Sequence, residues 1–257
     1  MGHIRLGTLS ASKKWREVVA LLEDGADLET IAASAAMASK RDLSRAADDP
    51  VFRFASRILV ELPLMARSPD FGEYLQSLGC STENVGSLPG VLSELANAIN
   101  KRSREEGAQS DLGGMAKSAL LESLSHQVSG RLPSLFEPTP QEGRRALASL
   151  SSGQNFAALA REFFARLTHR SLDYYLSREF ANHTGPERRF SDDGARVAFQ
   201  RALAQHTFEA AKIIEAFAGG WYGKTIWQNQ ALDQDAIIKF AAYSFKKMRS
   251  ELGRRES

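Results

Sequence analysis

The sequence predicts an all-α protein, a multi-helix bundle of about nine helices built around one long central helix. Three observations predict it. Apolar residues recur at spacings of three and four along most of the 257-residue chain, which lines them up on one face of a helix. Capping residues and prolines stand directly ahead of those periodic runs, where they satisfy or replace backbone N–H groups that have no intrahelical partner. No segment alternates apolar and polar residues between hairpin turns, as a half-buried strand would.

Ser12 caps the first expected helix, which carries Trp15, Val18, Val19 and Leu22 and stops at Gly25. Asp27 opens a second, through Leu28, Ile31, Ala35, Met37 and Leu43, whose alanines suit close helix contact. Asp49-Pro50 starts a third through Phe54, Ile58 and Leu62, expected to kink or end near Pro63. Ser68-Pro69 starts a short helix ended by Gly79. The aperiodic stretch from Cys80 to Gly90 predicts a boundary. It either divides an N-terminal helical lobe, residues 1–79, from a C-terminal bundle, residues 88–257, or joins them in one continuous domain.

Val91, Leu95 and Ile99 mark a helix that gives way to the charged run KRSREEGAQS, residues 101–110, expected as an exposed loop. Met115, Ala119, Leu120, Leu124 and Val128 mark the next helix. Thr139-Pro140-Gln141-Glu142 combines a capping box with proline at the first helical position. Beyond the central helix, a turn from Thr184 to Phe190 leads to a helix capped by Ser191 or Asp192. Its stripe of Val197, Leu203, Ala204, Phe208, Ala211, Ile214 and Phe217 runs to an expected end at Gly219-Gly220. The last helix, capped by Asp233 or Asp235, carries Ile237, Phe240, Ala241, Phe245 and Met248.

The central helix lies within Ser152–Gly185. Phe156, Leu159, Ala160, Phe163, Phe164 and Leu167 share one broad face, whereas Leu172, Tyr175, Leu176 and Phe180 rotate onto adjoining faces. A helix that changes its apolar face along its length packs against different neighbours, as a core helix does. Glu162, Arg166, His169, Arg170 and Asp173 form a polar strip expected to face solvent or a partner. His169 and Asp173, four apart, read either as an oriented imidazole or as an exposed helix ion pair.

The composition, 43% hydrophobic and 25% charged, is that of a folded globular protein. A formal charge of +2 supplies no global field for nucleic acid, which leaves only local patches such as the basic stretch from Lys246 to Arg255. Cys80 is the only cysteine, so neither an intrachain disulfide nor a cysteine zinc cluster can form. Arg57 and Glu61 interrupt the most apolar run, so no membrane span is expected. A cytoplasmic protein without cofactor is the plain expectation.

Two stretches carry candidate chemistry. The first is Arg178-Glu179-Phe180-Ala181-Asn182-His183. An arginine offers a forked donor for phosphate, and a histidine can move a proton near neutral pH. The pattern resembles the motif of the HEPN superfamily, all-helical bundles that include metal-independent ribonucleases. The resemblance implies phosphate binding by Arg178, acid–base work by His183, and Glu179 at the polar position, across a dimer interface. Residues five apart diverge by about 140° on an unbroken helix, so convergence requires the helix to end at Gly185-Pro186. Arg201 and His206 repeat the spacing in mid-helix without that ending. The other reading of the segment is a helix C-terminus capped by Asn182 and His183. Glu179 and His183 could supply only two metal ligands, fewer than zinc requires, and no metal site is expected.

The second stretch is Ala218-Gly219-Gly220-Trp221-Tyr222-Gly223-Lys224-Thr225. It approaches a phosphate-loop pattern, but a helix rather than a strand precedes it and two bulky aromatics fill it, which argues against nucleotide hydrolysis. Trp221, Tyr222, Lys224 and Trp227 then read as an interhelix segment. It would serve either as a partner anchor or base-stacking surface, or as aromatics folded back into the core.

SLDYYLSREFANHTG together with FAGGWYGKTIW resembles segments of uncharacterised all-helical bacterial proteins from multigene clusters, some associated with phage defence. The resemblance implies work within a complex and assigns no residue roles. The function expected is a non-enzymatic helical interaction subunit with protein partners. A HEPN-like ribonuclease using Arg178 and His183, or a nucleic-acid-binding module, are the alternatives.

Overall fold

The computed structural model describes residues 12–39, 48–81, 87–107, 109–132, 138–229 (side chains to residue 226) and 233–254. Over these residues the fold is all-α, as expected, with eleven α-helices where about nine were expected. They are α1 (Lys13–Glu23), α2 (Leu28–Ala38), α3 (Pro50–Met65), α4 (Phe71–Ser77), α5 (Leu88–Glu105), α6 (Asp111–Ser129), α7 (Pro140–Ser149), α8 (Gly153–Phe180), α9 (Asp193–Ala210), α10 (Lys212–Asn229) and α11 (Gln234–Leu252). A single-turn 3-10 helix (Ala181–His183) follows α8, and one isolated bridge pairs Thr184 with Phe190. No described helix is long and apolar enough to cross a membrane.

Side-chain caps set most helix starts, including those read from the sequence at Ser12, Asp27, Asp49, Thr139, Asp192 and Asp233. Side chains of Ser12, Asp27, Asp49, Ser87, Ser110, Thr139, Ser152, Asp192 and Asp233 each accept a backbone N–H of the first turn. Each such cap contributes about 1 kcal/mol. Thr139 and Glu142 complete the reciprocal capping box ahead of α7. Gly25 ends the α1 turn at φ +71°, a conformation in which a side chain would be strained.

The third helix ends at Met65, just past Pro63, as expected. Two elements differ from expectation. The charged run after Ile99 is helical to Glu105; Lys101–Glu105 and Arg102–Glu106 pair one turn apart along it. Leu43, expected on the second helix, lies outside the described residues. The long helix expected to end at Gly219-Gly220 instead breaks at Ala211 and resumes as α10, which carries both glycines in its interior. Arg161 on α8 accounts for the break. Its Nε and Nη2 each donate 3.3 Å to the Phe208 carbonyl, the acceptor that Lys212 N–H would use in an unbroken helix.

α8 is the organising helix, and it serves two cores. Its first half, including Phe156, Phe163, Phe164 and Leu167, lies in the larger cluster with α3 to α7, α10 and α11. Its second half, Leu172, Tyr175, Leu176 and Phe180, lies in a smaller cluster with α1, α2 and α9. Full burial of each such side chain contributes about 1.5–3 kcal/mol. Cys80 and Val91, on either side of the expected boundary stretch, both sit in the larger core. The smaller core joins the start of the chain to its middle: Trp15 packs on Tyr175 with ring centroids 6.0 Å apart.

Candidate functional site

The aromatic–glycine segment is part of the core rather than an interhelix loop. Tyr222 is fully buried, stacks on Phe156 at 3.8 Å between centroids, and donates to the Val60 carbonyl at 3.1 Å. Burial pushes its phenol well above the ordinary value. Trp221 stacks on Phe240 at 4.0 Å. Gly219 lets α10 meet the start of α8: a Cβ there would fall 2.6 Å from the Gly153 carbonyl oxygen. Lys224 stands exposed, and the Trp227 side chain lies outside the described residues. Tyr222 is therefore not free to anchor a partner, whereas Trp221, one face on Phe240, is only partly buried.

The Arg178–His183 segment gives its three candidates separate surroundings. Arg178 is exposed and its guanidinium lies 4.2 Å over the ring of Tyr174, one turn back along α8. Tyr174 in turn donates to Asp111 at 2.6 Å. Glu179 accepts the indole N–H of Trp15 at 2.9 Å and so fastens α1 to α8. His183 is only 4% exposed, and its Nε2 is enclosed without a hydrogen bond among the described residues. Its carbonyl accepts from Phe190 N–H at 2.9 Å, closing the turn in which Glu187 adopts φ +59°. An exposed arginine directed back toward Tyr174 and an enclosed imidazole do not share an open groove. His206, the partner of Arg201 in the second match, likewise has an enclosed Nε2.

The polar strip of α8 is where the structure assembles a site. Arg166, His169, Arg170 and Asp173 face α6 and α9 across an open cleft of about 540 Å³, whose floor and rim include Ala165, Ala204 and Phe208. Glu162, expected at the surface, is 4% exposed and is the hub of the network. Its Oε1 accepts Arg166 Nε at 2.9 Å and Nη2 at 2.6 Å. Its Oε2 accepts Gln127 Nε2 at 2.8 Å and lies 2.9 Å from His126 Nδ1. A buried carboxylate costs several kcal/mol unless compensated, and these donors supply the compensation. Arg166 also reaches Glu122 at 3.2 Å, and Arg170 bonds the other oxygen of the same carboxylate.

Farther along the strip, Asp173 accepts from Gln200 Nε2 at 2.9 Å. Burial holds His169 below the ordinary imidazole value, against the opposing pull of Asp173. His169 stands seven residues beyond Glu162, roughly 10 Å along the helix axis. Arg201 lines the cleft, exposed, with no ion pair or hydrogen bond among the described residues.

His126, Gln127, Glu122 and Phe208 have no signature in the sequence. Glu122, His126 and Phe208 reach the cleft, and Gln127 reaches Glu162, only because α6 and α9 pack on either side of α8. The described residues contain no group of three or more His, Cys, Asp or Glu placed to hold a metal ion. No protein-family model, curated protein or solved structure significantly matches the chain.

Proposed function

We propose that the chain is a non-enzymatic helical interaction subunit of a bacterial multiprotein assembly, and that a partner protein docks in the cleft between α6, α8 and α9. The observation that carries this reading is the charge arrangement of the cleft. Three acids, Glu122, Glu162 and Asp173, face three arginines, Arg166, Arg170 and Arg201. Most are already paired, so the cleft is polar, held in one geometry and close to neutral. Nucleic acid selects unpaired positive surface, whereas protein interfaces combine a polar rim with an aromatic anchor. Phe208, 38% exposed at the cleft with Arg161 4.2 Å over its ring, supplies the anchor.

The reading is tested by placing a photo-crosslinking amino acid at Gln205, exposed in the cleft, and at Glu23, exposed on α1, in the native cell. A protein captured from position 205 and not from 23, and lost on adding Phe208→Asp, is the expected result. A chain that stays alone and monomeric, or that captures equally from both positions, overturns it. Metal-independent RNA cleavage that is lost in a folded His183→Ala variant would replace it with the ribonuclease reading.

A further inference from the structure

We infer that the pocket between α3, α5 and α11, away from the cleft, is a binding site for a phosphate group borne by a nucleotide. Its walls bring together Arg53 and Arg57, one turn apart on α3, and Arg102 from α5. Its volume is about 260 Å³, and Phe54 and Ile237 form an apolar floor.

The arginines are arranged by how they are held. Arg57 donates through Nε to Glu61 at 2.8 Å, and Arg102 donates through Nε to Glu106. Each carboxylate stands one turn along the same helix and takes the Nε side of the fork. The Nη groups of both arginines make no hydrogen bond among the described residues, and Arg53 makes no side-chain bond or ion pair among them at all. The Arg102 guanidinium is further fixed 5.7 Å over the Phe54 ring. Three guanidinium groups in one pocket repel one another, and of the lining residues only Glu106 is acidic.

A phosphate fits this set better than a carboxylate. It offers three oxygens to forked donors from three directions and carries up to two negative charges, which relieve the repulsion. Ile238, partly exposed in the pocket wall, gives an attached sugar or base an apolar contact, and Gln234 at the rim offers an amide donor and an acceptor. The same chemistry serves a free nucleotide or one unit of a nucleic-acid strand. The inference stands on α3, α5 and α11 alone and does not depend on the cleft between α6, α8 and α9.

The test is a calorimetric titration of the full chain with inorganic phosphate, a nucleoside monophosphate and a short uridine strand, repeated on Arg53→Glu and Arg102→Gln. Arg53 is exposed and makes no side-chain hydrogen bond or ion pair among the described residues, so Arg53→Glu is expected to melt at the wild-type temperature. The expected result is binding of the monophosphate more tightly than bare phosphate, weakened at least about tenfold in Arg53→Glu and less in Arg102→Gln. Binding of the strand with the same Arg53 dependence, but not of the monophosphate, also supports the site and identifies the strand as the source. No binding of any probe, or binding that Arg53→Glu leaves unchanged, overturns it.

Discussion

Gly219 of α10 and Gly153 of α8 meet backbone to backbone, so closely that a single Cβ on Gly219 would fall 2.6 Å from the Gly153 carbonyl oxygen. The contact brings Tyr222 onto Phe156, and it does so by having no side chain in the way. Gly219→Ala must push the two helices apart, at a cost of about 1–3 kcal/mol. Gly220, next in sequence, is exposed and would meet nothing within 4 Å. Gly220→Ala should raise stability by about 0.5–1 kcal/mol through helix propensity alone. Urea denaturation of the two variants should give opposite signs; equal effects would deny the close approach.

Tyr222→Phe keeps the ring stack and removes only the hydroxyl that donates to the Val60 carbonyl. The expected loss is about 0.5–1.5 kcal/mol. A loss of 3 kcal/mol or more, roughly the scale of removing a whole core aromatic, would mean that the ring itself had moved.

Glu162→Ala removes the carboxylate that Gln127 and Arg166 share, leaving Arg166 only Glu122, and should lower stability by about 1–3 kcal/mol. His126→Ala should cost under about 1 kcal/mol, because the His126 side chain is 69% exposed and water replaces its partner, whereas the Glu162 side chain is 5% exposed. The order of the two values in equilibrium denaturation checks the assignment of Glu162 as the hub.

His169 gives a pH dependence of definite sign. Burial holds its folded value below the 6.5 of a free imidazole, so the unfolded chain binds the proton more readily. Its contribution is unaffected above pH 6.5, and stability falls as pH drops from there toward the lower folded value. The capping carboxylates Asp27, Glu142 and Asp192, also lowered, act in a more acidic window. Denaturant midpoints between pH 7.5 and about 5 should therefore decline for the wild type and flatten in His169→Gln. Parallel curves would remove His169 as the cause.

Cys80 is buried, and burial raises its thiol to about 11. At pH 8 only about one thiol in a thousand is then ionised. Labelling by a disulfide reagent should be roughly a hundredfold slower in the native protein than in the urea-unfolded chain. Native labelling at the unfolded rate would place Cys80 at the surface.

What the sequence made legible follows from how local each signal is. Caps such as Ser12 and Thr139 act on N–H groups three residues away, so those helix starts could be read directly. The drift of apolar faces along α8 predicted two sets of neighbours, and two cores are found. The break at Ala211 could not be read, because Arg161, 47 residues upstream of Phe208, takes the carbonyl that would continue the helix. Gly219 looked like a stop for the same reason: its contact lies on another helix. The site was legible by half. The polar strip of α8 was visible, but its burial through Glu162 depends on His126 and Gln127, and no spacing within α8 announces residues from α6.

The fastening of Trp15 to Glu179 spans 164 positions of sequence, and that distance has a consequence during synthesis. The α1–α2 hairpin leaves the ribosome long before the second half of α8 exists to cover it. At about 5–20 residues per second, the wait is roughly 8–30 s. Throughout it the indole of Trp15 and the alanine face of α2 have no home. A nascent chain stalled before residue 170 should therefore recruit chaperones to its first forty residues, and one stalled after α9 should release them.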